Sequence, residues 1–202
     1  QLKVAYKLAL EQGCVSKSLG KLFESAFSVA KKVRSQTEIG VNPISVAYLA
    51  VRLAQRIFTS IADQVVLLIG AGETARLMIK HLAGAGVTRF IIANRTLANS
   101  QSIVHECGVN ASVELIELDL IPDTLVRADI IVTTTSAPLP IVGKGMVERA
   151  IKARKFRAMF MIDLSIPRNI EPQVQQIADV YLYGIDDLQS IAAEHQRTRH
   201  TA

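Results

Sequence analysis

Apolar positions recur with two different periods along this chain, and the change falls near residue 60. Before it the period is helical. Leu2 to Ala9 carries a helical pattern. Leu22, Phe23, Ala26, Phe27, Ala30 and Val33 fall on one face of a second helix, with Lys31, Lys32 and Arg34 clustered near its end. Ile39-Gly40 reads as a stop. Asn42 or Pro43 then starts a third helix with Ile44, Ala47, Tyr48, Val51 and Phe58 on one face. Ser60 to Gln64 is a short connector.

Beyond the connector the pattern is that of strands. Val65–Ile69 is a continuous apolar run ending in Gly70, as expected of a parallel strand buried on both faces. Arg89–Ala93, Val113–Leu118, Ile130–Thr133, Ala158–Ile162 and Val180–Tyr183 read as five further strands. Helices are expected over Glu73–Ala83 and Leu97–Glu106, with others of varied length between the remaining strands. Such alternation predicts an α/β fold, a Rossmann-like doubly wound parallel sheet preceded by a helical segment. The expected divisions are a helical region 1–60, a sheet domain 61–185, and a polar helix starting at Asp186 within 186–202.

Composition narrows the class. Half the residues are hydrophobic and a fifth charged, which excludes a disordered chain. Mean hydropathy is +0.28. The longest uncharged candidate, Ile130 to Gly143, is broken by Thr133, Thr134, Thr135, Ser136, Pro138 and Pro140, and falls short of the roughly 18 apolar residues a membrane helix needs. No membrane partner is expected. Two cysteines, Cys14 and Cys107, make no disulfide framework, so the expected compartment is a reducing cytoplasm. The opening residues show no secretory or transit pattern. Gln1 is not an initiator methionine, and the helical pattern starts without a cap, which suggests a piece of a longer protein. Charge is uneven: residues 1–63 hold nine Lys/Arg against four Asp/Glu, while residues 64–202 hold fourteen of each. A basic first third suits either an anionic partner such as nucleic acid or a plain solvated helical face.

The clearest chemistry is the turn Gly70-Ala71-Gly72-Glu73-Thr74-Ala75, a G-x-G-x-x-A pattern after an expected strand and at the start of an expected helix. Gly70 permits the tight turn, Gly72 lets backbone approach a pyrophosphate, and Ala75 keeps the helix close to the sheet. The helix N-terminus offers free amides to phosphate. Glu73 suits the helix dipole but must point away from a bound pyrophosphate. At the end of the second strand stands Asn94-Arg95-Thr96, where an acidic residue would read an NAD ribose. Arg95 instead suits a 2′-phosphate, so NADP(H) is expected over NAD(H). Thr96 is also a natural helix N-cap.

Thr133-Thr134-Thr135-Ser136 ends the fourth strand, so Thr134, Thr135 and Ser136 either line the cofactor cleft or form a merely polar strand end. Asp163 to Arg168 follows the fifth strand in the same way, with Pro167 stiffening that loop. No catalytic set emerges. Cys14 sits in a loop without a nearby base, Cys107 ends a helix, and His81, His105, His195 and His200 have no metal spacing. Lys152, Arg154, Lys155 and Arg157 form a basic cluster that suits either a phosphate contact or, as the preferred reading, a solvated helix end.

Several ordered blocks then carry a family resemblance. Gln1-Leu2-Lys3-Val4-Ala5-Tyr6 is similar to a Q-V-K-x-A-Y segment. Leu22-Phe23 through Ala30-Lys31-Lys32-Val33-Arg34 and Thr37-Glu38-Ile39-Gly40 fit L-F-x-x-A-F-x-x-A-K-x-V-R-x-x-T-x-I-G. Ser45-Val46-Ala47, the G-A-G-E of the glycine turn, Asn94-Arg95-Thr96, Asp163 to Arg168 and Tyr183 to Leu188 match further blocks. On these residues the chain resembles glutamyl-tRNA reductase. The resemblance implies the end of an N-terminal catalytic domain, a complete NADPH domain, and the start of a helix leading to a dimerisation domain. It implies reduction of glutamyl-tRNA(Glu) to glutamate-1-semialdehyde in tetrapyrrole synthesis, through a cysteine thioester that NADPH reduces, by a homodimer when full length. Gln1 would contact the glutamyl group, Gly70 to Ala75 the dinucleotide, and Asn94-Arg95-Thr96 the adenosine phosphate. The cysteine's S-T-C-N-R block does not occur in these 202 residues, so this chain alone is expected to be inactive. Two alternatives stand beside this reading. One is a shikimate-dehydrogenase-like NADP reductase, which the helical first 60 residues disfavour. The other is a non-catalytic nucleotide- or tRNA-binding module.

Overall fold

The computed structural model describes residues 2–36, 43–96, 100–101, 103–108 and 110–191. Gln1, the expected stop at Ile39-Gly40, and His195 and His200 lie outside them. The chain divides into two compact units, Gln1–Asn42 and Pro43–Ala202. The boundary expected near residue 60 falls inside the second.

The first unit contains α1 (Leu2–Glu11) and α2 (Lys17–Gln36). Tyr6 of α1 packs on Phe23 and Phe27 of α2 at ring distances of 4.9 and 5.5 Å. Its hydroxyl donates to Gly20 O at 3.4 Å. Leu22 and Val29 of α2 are exposed, at 64% and 59% of their surface.

The second unit opens with α3 (Pro43–Ile57), which buries Val46, Ala47, Ala50, Val51, Leu53 and Ala54. Tyr48 turns outward instead, because the buried stripe runs through 47, 50 and 54. Then follow β1 (Val65–Ile69), α4 (Glu73–Gly84), β2 (Arg89–Ala93), β3 (Ser112–Ile116), the short α5 (Ile121–Thr124), β4 (Ile130–Thr133), α6 (Lys144–Ala153), β5 (Met159–Asp163), β6 (Val180–Gly184) and α7 at 185–191. All pairings are parallel, in the order β3-β2-β1-β4-β5-β6. That is the doubly wound order, with its reversal between β1 and β4.

Burial explains the sequence pattern. Leu67, Ile69, Ile91, Ala93, Ile131, Met159 and Met161 join Val147, Ala150 and Ile151 of α6 in one core. The alternate residues Val66, Leu68, Phe90, Ile92, Phe160 and Ile162 face the other way and are equally buried. A strand covered on both faces has no polar alternation to show. The outermost strand β3 does alternate, and its Glu114 takes a bidentate pair from Arg127 at 2.7 and 2.8 Å. Charge on an edge strand discourages pairing with another chain.

Three connections differ from expectation. The end of the segment expected as helix 97–106 is a 3-10 turn, Val104–Cys107, held to α4 by Lys80 and Arg76 on Glu106 at 3.1 and 3.7 Å. Between β3 and β4 stand only a 3-10 turn and the four residues of α5, and between β5 and β6 the only helical element is a 3-10 turn, Pro172–Gln176.

At the amino ends of the strands lies a buried ion pair. Arg154 Nη2 donates to Asp129 Oδ1 at 2.6 Å, and Arg154 also reaches Val126 O and Ala158 O at 3.2 Å. Asp129 Oδ2 accepts from Val65 N at 2.9 Å, so one carboxylate joins the starts of β1 and β4. Arg154 is therefore not part of a solvated cluster; only Lys152, Lys155 and Arg157 of that group are exposed. Arg154→Ala leaves a buried carboxylate without its cation, and is expected to cost about 3–5 kcal/mol. Arg127→Ala, at a pair half open to water, is expected to cost less than about 1 kcal/mol. Urea denaturation of both variants checks the contrast.

Candidate functional site: a dinucleotide cleft

The turn after β1 is built around two glycines that serve different needs. Gly70 has φ +110, a conformation that side chains avoid, and a Cβ on it would meet Thr134 Oγ1 at 2.8 Å and Thr134 O at 3.0 Å. Gly70 N donates to Ala93 O, and Thr134 N donates to Ile69 O at 2.8 Å, which ties the turn between β2 and β4. Gly72 has ordinary extended backbone, φ −83 and ψ −173. A Cβ there would meet nothing within 4 Å. Packing does not demand glycine at 72; the close approach of a ligand to backbone would.

Helix α4 starts directly after Gly72 and carries no side-chain cap. Its first intrahelical bond runs from Arg76 N to Gly72 O at 3.1 Å, so the amides of Glu73, Thr74 and Ala75 have no partner inside the helix. Ala75 is fully buried, which lets the helix sit close to the sheet, while Gly72, Glu73 and Thr74 are exposed and Ala71 half-buried. An open glycine, three unpaired helical amides and a positive dipole end fit a pyrophosphate.

Beside this turn lies the end of β2. Asn94 N donates to Ile116 O at 3.3 Å, and Asn94 Nδ2 donates to Thr96 O at 3.0 Å, folding the loop back on itself. Arg95 and Thr96 are exposed there. The two sites expected from sequence thus stand at the carboxyl ends of neighbouring strands.

The hydroxyls after β4 are already engaged. Thr134 Oγ1 donates weakly to Ile69 O at 3.4 Å. Thr135 Oγ1 donates to Asn169 Oδ1 and accepts from Ala137 N at 3.0 Å. Ser136 is exposed. Sequence reasoning gave no role to Asn169. It is fully buried and bridges the loops after β4 and β5. Nothing local signals that, because its partners lie about thirty positions away. Asp187, in the block after β6, accepts from Gly184 N at 2.7 Å and so starts α7 in the manner of a capping box. No group of His, Cys, Asp and Glu among the described residues could hold a metal. No described helix is long and apolar enough to cross a membrane.

Residues 52–191 match a family model described as shikimate/quinate 5-dehydrogenase. The chain belongs to that family. The first 37 residues match a different model, the N-terminal domain of glutamyl-tRNA(Glu) reductase. Proteins named glutamyl-tRNA reductase from Marinobacter nauticus and Saccharophagus degradans are 50% and 49% identical to this dehydrogenase-family chain over all 202 residues. The chain spans about half their length, 46% and 47%. The solved glutamyl-tRNA reductase of Methanopyrus kandleri is 34% identical, with a TM-score of 0.70 over the whole chain and half of its own. The resemblance read from the sequence therefore extends from the first helices through the sheet. Fold and family together imply a nicotinamide cofactor.

Gly70→Ala is expected to destabilise the sheet domain by about 3 kcal/mol, through backbone strain and collision with Thr134. Gly72→Ala is expected to change stability by less than about 0.5 kcal/mol while weakening dinucleotide binding at least tenfold. Thermal melts and calorimetric titrations of the pair separate the two roles. Burial, and secondarily the charge of Glu106, pushes the Cys107 thiol up to about 11, so at pH 7.5 it stays protonated. At pH 7 a maleimide is expected to label exposed Cys14 rapidly in the native protein, and buried Cys107 only on unfolding. Mass spectrometry of the labelled peptides checks this.

Proposed function

We propose that this chain is the NADPH-binding part of a glutamyl-tRNA reductase, an oxidoreductase that converts glutamyl-tRNA(Glu) to glutamate-1-semialdehyde in tetrapyrrole synthesis. The observation that carries the reading is similarity at about one residue in two along the whole chain, across two regions that match different family models. The second reading, a dehydrogenase of shikimate-like hydroxy acids, has the family model over 52–191 in its favour. It leaves the first 37 residues unexplained.

The residues divide the work by position. The amides of Glu73, Thr74 and Ala75 hold the pyrophosphate, with Gly72 leaving room for it. The Glu73 side chain, exposed at the helix start, has to point away from the bound pyrophosphate. Arg95 meets the 2′-phosphate, on a loop that Asn94 holds in shape, and Thr96 starts the segment beyond. The nicotinamide, when bound, supplies hydride. Gln1 is the residue assigned to the glutamyl group. The nucleophilic cysteine of the resemblance has no counterpart in these 202 residues, so the chain alone forms no semialdehyde. The implied partners are glutamyl-tRNA(Glu) and, in the longer protein, a second copy in a homodimer. The compartment that fits is the cytoplasm.

Calorimetric titration with NADPH and with NADH tests the reading. NADPH is expected to bind at least about tenfold more tightly, and Arg95→Ala to bring the two within about threefold, since a charge-assisted phosphate contact is lost. Equal affinity for both in the unaltered chain would overturn the 2′-phosphate assignment.

A further inference from the structure

We propose that Asp163 and Asn169 are positioning residues for the nicotinamide half of the cofactor, acting by locking the loops after β4 and β5 into one platform. The proposal rests on the dinucleotide reading above. Thr133 and Asp163 are the last residues of β4 and β5 and stand opposite each other in register. Asp163 is 3% exposed and has no cation against it among the described residues. Its charge is met by four donors instead. Oδ1 accepts from Thr133 Oγ1 at 2.7 Å and from Ser165 N at 3.0 Å. Oδ2 accepts from Asn169 N at 2.8 Å and from Ile170 N at 2.9 Å. A carboxylate can accept at all four places, whereas an asparagine of the same shape turns its NH2 against at least one backbone amide.

Asn169 extends the lock. Its Nδ2 donates to Ala137 O at 3.1 Å and, at longer range, to Pro167 O and Leu139 O. Its Oδ1 accepts from Thr135, whose own amide donates to Ser165 Oγ at 3.0 Å. Asn169 O accepts from Ile141 N and Val142 N at 2.8 and 3.0 Å, and Val142 bridges Ile170. The two loops are therefore tied by side-chain and main-chain hydrogen bonds into one unit, joined to the glycine turn through Thr134.

A doubly wound sheet gives one mononucleotide half to each side of its reversal. Here β1 to β3 carry the glycine turn and Arg95, and the second half falls over β4 to β6. The platform lies at the carboxyl end of that second half. It shows Ser136, Ile166, Pro167 and Arg168 to solvent, Ile166 with 74% of its surface exposed. Burying this many polar groups to shape a surface loop makes sense where the loop must hold a reacting ring in place, because small misplacements cost rate steeply.

Binding of NADPH and of 2′,5′-ADP by the same proteins tests this, since the second ligand lacks the nicotinamide half. Asp163→Asn is expected to weaken NADPH about tenfold and to leave 2′,5′-ADP within about twofold, the cost of unmaking charge-assisted bonds under one half of the site. Thr135→Val, which removes only the hydroxyl between Asn169 and Ala137, is expected to weaken NADPH about threefold, with Thr135→Ser restoring it. It serves also if Asp163→Asn does not fold. Equal weakening of both ligands would reduce Asp163 and Asn169 to a general structural role, and no weakening in the folded variants would overturn the proposal. Failure of the unaltered chain to bind either ligand would instead overturn the dinucleotide reading beneath it.

Discussion

The close run of β1 beside β4 sets the geometry of everything at the carboxyl edge of the sheet. Their backbones leave so little room that Gly70 cannot carry a Cβ without striking Thr134. The chain must turn there at a positive φ, and it enters α4 through Gly72 without a capping side chain. The same proximity lets Thr134 N bond Ile69 O, so the loop after β4 begins at the glycine turn rather than apart from it. At the reversal point the two loops are thus joined by main-chain hydrogen bonds.

Two buried carboxylates finish the sheet at opposite ends, and they are neutralised in different ways. Asp129 at the amino edge has a guanidinium. Asp163 at the carboxyl edge has backbone amides and a hydroxyl. A cation suits an edge that only has to hold strands together. Backbone donors suit an edge where loops must be given shape, because each amide bonded fixes the residue that carries it. The site-forming end of the sheet is also where the sequence spends small and polar residues, Gly70, Gly72, Thr133, Thr135, Ser165 and Asn169, in place of apolar ones.

Much of this was legible in the sequence, and the gaps have physical causes. Strands β1, β2 and β4 could be read to the residue, since burial on both faces writes them as unbroken apolar runs between glycine and polar stops. Strand β3 could be read only to within two residues, because at the sheet edge Ser112 and Glu114 face water and blur the ends. The segment up to Cys107 has helical spacing but finishes as a 3-10 turn fixed by Glu106 against α4, a contact no local pattern contains. The glycine turn and Arg95 were visible because they are local motifs. Asp163 was visible as a residue and invisible as a hub, since four backbone or hydroxyl donors leave no mark on composition. Arg154 misled for the opposite reason. Among four neighbouring cations, charge alone does not reveal which one turns inward to a carboxylate twenty-five residues earlier.

The uncapped start of α4 has a consequence for the empty protein as a folded object. A serine or aspartate at Gly72 would satisfy orphan amides and add a few tenths of a kcal/mol of helix stability, yet its side chain would stand over the same amides that a bound phosphate would need. The fold therefore forgoes a stabilising contact that its own chain could make, and leaves it to be made from outside. Ligand and fold are then linked by mass action: whatever fills that place holds the native state by RT ln(1 + [L]/Kd). A ligand at that place would then protect the domain from unfolding, and from proteolysis of the unfolded form, in step with its saturation.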